Sequence, residues 1–388
     1  MTRKQLVTLF VCNLVVFTVG NGLLALLPVY LTHLGADAAT TGYYFSSAYI
    51  AVFASTVIAG WLSDRLQRRK WLLILAGTTA VPTIWVMGQT SNLGQLAVLT
   101  AILFLVLGVS LTMVSILAGL FAEEAERGRV FGIIASTVAL GSVIGGLTSG
   151  PIVERWGFPT LFTVGTLVLL LLPLSGLLLD DKVVVRSQPG TTSGTARNAV
   201  LSRAFVLLFS ASTIAFVANS ELILAKPLIM DRLRFGATAI SATATVGGVI
   251  GLPLPFLIGW LSDRFGRKPL LIVCYLATAM GLVILASALF LWHFGVTSAL
   301  QIVISASIAV GSALVTDLVA QESLGAAIAW FAATNWVGYI IGFAITGAAI
   351  NALGMTSTML IGVLLALIAV ILLLPIKRPT LKPMPMAG

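Results

Sequence analysis

Long apolar runs follow one another from the first residues of this chain almost to the last. A membrane-spanning helix needs about 20 apolar residues. Twelve runs of roughly that length are predicted at 7–31, 42–63, 71–88, 96–121, 130–151, 159–179, 204–228, 237–259, 270–291, 297–317, 325–350 and 355–375. Hydrophobic residues make up 59% of the chain, and charged residues only 9%. A soluble globule could not cover that much apolar surface, so we predict an all-α polytopic membrane protein with twelve transmembrane helices.

The basic residues are unevenly distributed between the two sides of the predicted bundle. If the N-terminus is cytoplasmic, 18 of the 22 Lys and Arg residues fall on the cytoplasmic side. The other side receives Arg155, Lys226, Arg232 and Arg234. Because basic loops are retained in the cytoplasm, both termini are predicted to be cytoplasmic, in the inner membrane of a bacterium.

One long polar connection, rich in Gly, Ser and Thr, divides the runs into six and six. The predicted organisation is a six-helix bundle at 1–179, a cytoplasmic linker at 180–203, a second six-helix bundle at 204–376 and a cytoplasmic tail at 377–388.

The two halves carry the same short sequence at the same place. Residues 60–70 read GWLSDRLQRRK, and residues 259–269 read GWLSDRFGRKP. The offset between these copies also pairs Pro28 with Pro227. We infer two homologous bundles in one orientation, related by a pseudo-twofold axis along the membrane normal.

These features resemble the major facilitator superfamily, whose signature after the second span is G-x-x-x-D-R-x-G-R-[RK]. The second copy matches at every position, and the first departs once, at Gln67. The resemblance covers the whole chain. It implies a transporter rather than an enzyme, with two pseudo-symmetric bundles that expose a central cavity to each side of the membrane in turn.

The resemblance also implies that the repeated loops form a conformational latch on the cytoplasmic side. Carboxylates there would pair with arginines or with a helix N-terminus. The residues predicted for the latch are Gly60, Asp64, Arg65, Arg68, Arg69, Glu123, Gly259, Asp263, Arg264, Arg267, Lys268 and Glu322. The alternative is that the arginines only fix topology, but topology requires neither the aspartate nor the repeated spacing.

Small residues mark the helices that pack between the halves in this superfamily, which are spans 2, 5, 8 and 11. Span 5 contains Gly146-x3-Gly150, a spacing that allows close helix approach. Pro253 and Pro255 are expected to bend or break span 8.

Few ionisable residues lie inside the predicted spans, and such residues are candidates for function because burying them is costly. Span 7 contains Glu221 and Lys226, and span 10 ends near Asp317. Glu221 is the first candidate for proton coupling, because an apolar environment favours the neutral form of a carboxylate and so suits reversible protonation. Asp317 is the second candidate. The alternative for Glu221 is a structural ion pair with Lys226 or Arg232.

Polar and aromatic residues in spans 1, 2, 7 and 11 are predicted to line the substrate cavity. They are Asn13, Asn21, Tyr43, Tyr49, Ser212, Asn219, Lys226, Phe331, Asn335 and Tyr339. Ser212, Asn219 and Lys226 recur every seven residues and share one helix face, whereas Glu221 lies about 200° round the helix from Asn219. Because the set is mainly aromatic and amide-bearing, a small amphipathic or hydrophobic substrate is predicted.

Two departures weaken the likeness to proton-driven drug exporters of the superfamily. Phe104 occupies the position of their span-4 arginine, and Gly145-Gly146 replaces their Gly-Pro pair. We predict proton-coupled export of a small-molecule substrate by a monomer in a lipid bilayer, with no cofactor, metal or nucleic acid. The alternatives are a proton-coupled importer of a metabolite such as a sugar, a lipid flippase, and a receptor that does not transport; Na⁺ is the alternative ion.

Overall fold

Helices account for all regular secondary structure in the described part of the chain. The computed structural model describes residues 1–123, 126–179, 202–319 and 323–376, without the side chain of Asp263. The predicted tail and the predicted linker up to residue 201 lie outside these ranges. The helices are α1 (Arg3–His33), α2 (Ala38–Leu66), α3 (Arg69–Met87), α4 (Leu93–Phe121), α5 (Arg127–Leu169), α6 (Leu171–Leu177), α7 (Arg203–Arg232), α8 (Ala237–Gly251), α9 (Leu254–Phe265), α10 (Arg267–Ala286), α11 (Leu291–Val303), α12 (Ala306–Leu318), α13 (Leu324–Leu353) and α14 (Met355–Leu373).

Twelve membrane passes are built from these helices. Ten segments of the described chain are long and apolar enough to cross a membrane, and the pair α8–α9 makes an eleventh span. The segment 127–177 contains two passes, because the backbone breaks at Gly157, where φ is 79°. The following residues then pack back along α1, with Phe162 near Tyr30 and Leu172 near Cys12. The predicted number of spans is confirmed.

Polar side chains start several of the helices. Asp37 accepts a hydrogen bond from Thr40 N at the start of α2, and Asn92 caps α4 in the same way through Gln95 N. Such caps satisfy backbone donors that the first helical turn leaves without partners. They place the starts of α2 and α4 about one turn before the predicted apolar runs.

Span 8 is broken as the prolines predict. α8 ends at Gly251, and α9 begins at Leu254 after a bend of 45°. A proline cannot donate a backbone hydrogen bond, and its ring displaces the preceding turn. Span 10 is also interrupted, between α11 and α12 at Ile304 and Ser305.

The two halves pack together through α5 against α8 and through α2 against α13. These are spans 5, 8, 2 and 11, as the resemblance implies.

We call the end of the bundle where α1 begins the proximal end, and the end where α1 finishes the distal end. One buried apolar cluster includes residues of both halves, such as Leu26 and Phe343, whereas a second lies entirely within the C-terminal half. The halves therefore share a core only in part of their length.

Candidate functional site

The distal ends of the two halves are joined by hydrogen bonds. Glu154 at the end of span 5 accepts from Thr238 of α8, at 2.9 Å from the backbone N and 2.6 Å from Oγ1. Asn351 of α13 donates to Asp37 Oδ2 at 2.6 Å. One further hydrogen bond joins the halves, from Ser46 to Ile340 O. Among the described residues, the other hydrogen bonds between the halves all lie at the distal end.

Glu154 supplies a cap that α8 lacks. The N-cap residue of α8 is Gly236, which has no side chain to accept from the first turn. A Cβ at Gly236 would lie against Glu154 Oε1, so glycine also leaves room for the carboxylate. In the other half, α2 carries its own cap at Asp37. Hydrogen bonds from Thr40, and to a smaller extent from Asn351, hold the pKa of Asp37 below its usual range.

Small residues allow the interface helices to approach closely in the distal half. A Cβ at Gly150 would lie 2.6 Å from Ala237 O, and one at Gly146 would lie 2.7 Å from Ser241 O. Gly42 of α2 meets α13 in the same way, because a Cβ there would lie 2.9 Å from the Cα of Gly347. Any larger side chain at these glycines would push the halves apart.

The proximal ends of the halves lack this close packing. A Cβ added at Gly60, Gly259 or Gly325 would find no neighbouring heavy atom within 4 Å. The bundle is thus closed at the distal end and separates toward the proximal end.

A cavity of about 260 Å³ lies between the halves, below the distal contacts. Five of the predicted residues line it: Asn21, Tyr49, Asn219, Lys226 and Tyr339. Tyr49 and Tyr339 contact each other across the halves, with ring centroids 5.2 Å apart. Small-molecule sites in proteins typically measure about 300–1,000 Å³, so this cavity is near the size needed for a small ligand.

Lys226 reaches into the cavity from α7. Its Nζ donates to Ser298 Oγ and to Gln301 Oε1, both at 2.8 Å. Ser298 and Gln301 are three residues apart on α11 and therefore share one helix face. The lysine is buried, with 9% of its surface exposed.

Glu221 points away from the cavity, as the helical geometry predicts. It is 3% exposed and lies against α14, where a Cβ at Gly362 would contact its carboxylate. Its Oε2 has no hydrogen-bond partner in the described part of the chain. An ion pair with Lys226 or Arg232, the structural alternative, is absent among the described residues.

The other predicted cavity residues lie elsewhere, and their assignment to the cavity is corrected. Tyr43 is 57% exposed, because it is turned about 100° from the buried Tyr44. Asn13 donates to Thr137 Oγ1 at 2.7 Å, inside the N-terminal half. Ser212 bonds the Tyr275 hydroxyl at 2.7 Å.

Two predicted residues of span 11 are also outside the cavity lining. Phe331 is buried against Gly311 in the C-terminal half. Asn335 is partly buried, and its Oδ1 has no partner among the described residues.

Several predicted latch residues contact groups of their own half. Arg69 donates to Ser63 Oγ at 2.9 Å, and Arg65 lies over the Trp61 ring at 5.1 Å. Lys268 donates to Leu374 O at 2.7 Å. In the first copy, Asp64, Arg68 and Glu123 are exposed.

The second signature copy behaves similarly. Arg264 lies over the Trp260 ring at 5.4 Å, and Arg267 pairs with Asp317 at 2.6 Å. Glu322 and the side chain of Asp263 lie outside the described residues. The latch stays a prediction for the state in which the proximal end is closed.

The sequence interpretation missed the polar residues that spans 5, 8 and 10 contribute to the cavity. These are Ser142, Thr243, Ser298, Gln301 and Ser305. The three-residue spacing of Ser298 and Gln301 in an apolar helix was the available signal.

Comparison with known proteins agrees with this architecture. The sequence matches the family profile described as Major Facilitator Superfamily over residues 9–254 and 207–385. It is 24% identical to multidrug resistance protein MdtG of Klebsiella pneumoniae over 269 residues, covering 66% of this chain and 65% of that protein. It is 27% identical to sugar efflux transporter A of Dickeya chrysanthemi, covering 79% of this chain and 78% of the relative.

Solved structures show the same fold. The nucleoside transporter NupG superposes with a TM-score of 0.79 at 16% identity, covering 96% of this chain and 98% of NupG. A bacterial homologue of the lysosomal transporter Spinster superposes with a TM-score of 0.78 at 13% identity, covering 96% of this chain and 97% of that structure. These relatives are transporters and not enzymes. The chain is therefore a member of the major facilitator superfamily, and an integral membrane transporter.

Proposed function

We propose that this transporter exports small amphipathic compounds in exchange for protons, by alternating access. The observation that carries the proposal is the cavity between the halves, which is sealed by helix contacts at the distal end only. If the termini are cytoplasmic, as the basic residues predict, this is the state that receives substrate from the cytoplasm.

The interface supports a rocking motion of the halves. Gly146 and Gly150 allow α5 and α8 to touch without interlocking side chains, and few hydrogen bonds hold the distal end. Opening the distal end would cost those bonds, and closing the proximal end would bring the signature loops together. The predicted latch would then offset part of the cost.

Glu221 supports proton coupling. The Oε2 atom of Glu221 is buried without a partner among the described residues. An anion there would cost several kcal/mol, and reversible protonation avoids this cost. Separation of α7 from α14 at Gly362 would admit water and release the proton. Because Glu221 does not line the cavity, substrate and proton would be coupled through movement of α7 rather than by direct contact.

The proposed direction of transport, export, is based on the names of two similar proteins. MdtG is named as a multidrug resistance protein, and the Dickeya chrysanthemi relative is named as an efflux transporter. The cavity contains tyrosines and several apolar side chains, which suit a partly apolar ligand.

The test is transport by Glu221→Gln in proteoliposomes with an imposed pH gradient. Compounds that stabilise the purified protein against thermal unfolding serve as substrates. The wild type should accumulate them only when the gradient is present, and Glu221→Gln should lose this dependence while retaining downhill exchange. Glu126→Gln removes an exposed carboxylate at the proximal end and should behave as the wild type. Unchanged gradient-driven accumulation by Glu221→Gln would overturn the coupling role.

A further inference from the structure

Lys226 is the one charged side chain among the residues that line the cavity in the described part of the chain. The other polar groups are amides and hydroxyls, contributed by Asn21, Tyr49, Ser142, Asn219, Thr243, Ser298, Gln301, Ser305 and Tyr339. A buried cation without a counter-ion is costly in a membrane protein and often marks a binding site.

The contacts of Lys226 hold the ammonium in place but do not neutralise it. Ser298 and Gln301 each accept one hydrogen bond from Nζ at 2.8 Å, and both are uncharged. An ammonium has three donor hydrogens, so one remains for a ligand. The two fixed bonds orient that third hydrogen relative to α11.

The two carboxylates nearest to Lys226 along the chain, and that of Glu154 at the distal end, contact other groups. Glu221, on the same helix, lies against Gly362 of α14. Asp231, beyond the lysine, lies 3.5 Å from His33 Nε2, and Glu154 caps α8 at Thr238. No described carboxylate therefore compensates Lys226, and an anionic ligand would do so.

The rest of the cavity shows what else such a ligand would carry. Asn219 donates to the Tyr339 hydroxyl at 2.9 Å, while its Oδ1 is buried without a partner among the described residues. Leu24, Ile223 and Ile302 provide an apolar wall. The site thus combines one cation and an apolar surface.

We propose that Lys226 binds the anionic group of the substrate, and that the substrates are small amphipathic organic acids with a carboxylate at one end and an apolar body. The proposal rests on the proposed function, because it takes the cavity to be the substrate site. A carboxylate would replace no existing bond of Lys226 and would use its third donor. The apolar body would lie toward Leu24 and Ile302.

Binding of matched acid–amide pairs tests the proposal on the purified full-length protein in detergent. The probes are benzoate, octanoate and 2-naphthoate, each compared with its own primary amide by calorimetry and thermal stabilisation. The amides keep the shape of the acids but lack their charge. At least one acid should bind ten times more tightly than its amide, and Lys226→Gln should abolish the difference. Lys226→Arg should retain a preference for the acid.

Lys70→Gln is the matched control, because it also removes one lysine charge but lies at the proximal end, where Lys70 donates to Leu177 O at 3.0 Å. It should bind the acids as the wild type does. Equal binding of all three acids and their amides by the wild type, or absence of binding by all three acids, would overturn the proposal. So would a preference that persists in Lys226→Gln.

The binding measurement is independent of any proton gradient. Loss of coupling in the Glu221→Gln experiment would leave the acid preference intact. Conversely, a wild type without acid preference could still show gradient-driven transport of neutral compounds. The two proposals therefore fail separately.

Discussion

The guanidinium of Arg267 lies 2.6 Å from the carboxylate of Asp317, measured from Nη1 to Oδ1, and this ion pair joins the start of α10 to the end of α12. Arg267 Nη1 also donates to Thr316 Oγ1 at 3.0 Å. Asp317 is the second residue predicted to couple protons. Its engagement with an arginine of the repeated signature favours a structural role instead.

Asp317→Asn is expected to lower thermal stability without changing the dependence of transport on a pH gradient. The pair is about one-third exposed, so its loss should cost roughly 0.5–1 kcal/mol. Thermal unfolding of the purified protein measures the first effect, and proteoliposome transport the second. The double variant Arg267→Asp with Asp317→Arg should recover part of the stability. Loss of gradient dependence at unchanged stability would restore Asp317 as a coupling candidate.

Glu154→Gln is expected to shift the transporter toward the state that is open at the distal end. The variant exchanges a charged cap for a weaker neutral one at α8, and the site is exposed. We therefore expect a change of a few tenths to 1 kcal/mol, a twofold to fivefold change in population. Spin labels at Ser91→Cys and Ser287→Cys, two exposed loop positions in opposite halves, report the distance between the distal ends.

Both native cysteines, Cys12 and Cys274, are buried, which limits labelling elsewhere. Arg155→Gln, which changes the charge of the neighbouring residue without touching the cap, is the control. An unchanged distance distribution in Glu154→Gln would show that the cap does not stabilise the closed distal end.

The contact between Asp37 and Asn351 is expected to be insensitive to pH near neutrality. The pKa of Asp37 is held below its usual range by Thr40 and Asn351. The stabilisation is therefore fully present above the ordinary aspartate value of about 3.9, and it is lost as the pH falls through the lowered value. In a Glu221→Gln background, which removes the titration proposed for coupling, the distal distance should stay constant from about pH 8 to pH 5 and lengthen only below about pH 4.

The measurement uses the same labels in a background that also carries His33→Gln, because His33 lies 3.5 Å from Asp231 across the distal interface. Asp37→Asn should already be shifted at pH 7 and should respond less to acid. A transition between pH 5 and 7 that disappears in Asp37→Asn would contradict this assignment.

Gly150→Leu is expected to prevent closure of the distal end. Even a Cβ at this position would lie 2.5 Å from the Thr238 Cα and 2.6 Å from Ala237 O, both backbone atoms that cannot move aside alone. Transport should fall at least tenfold while the protein still folds, with lengthened label distances. Gly132→Leu on the same helix has no neighbouring atom within 4 Å of its Cβ and is the control. Normal closure in Gly150→Leu would show that the close approach is not required.

The spans and the break in span 8 were predictable from the sequence, because apolar run length and proline act locally. The helices of the interface were predicted from the resemblance to the superfamily. The heptad spacing of Asn219 and Lys226 also placed both correctly on the inner face of α7. The same spacing failed for Ser212. This residue lies nearer the proximal end of α7, where the same helix face packs against Tyr275 instead of lining the cavity.

The distal closure was not predicted, because it depends on pairs that are far apart in sequence, such as Asp37 and Asn351. Polar residues at helix ends are usually interpreted as local caps. The repeat did hold a signal, since the offset that aligns the two signatures also aligns Asp37 with Gly236. That comparison shows that α8 lacks the cap that α2 has.

The cap that Glu154 provides to α8 from the opposite half also makes opening of the distal end observable without any label. The amide hydrogen of Thr238 is held by Glu154 from the opposite half, so it becomes free to exchange with solvent when the distal ends part. The amide of Thr40 is held by Asp37 of its own half and keeps that partner in either state. The ratio of the two hydrogen-exchange rates therefore reports how often the unmodified protein opens at the distal end.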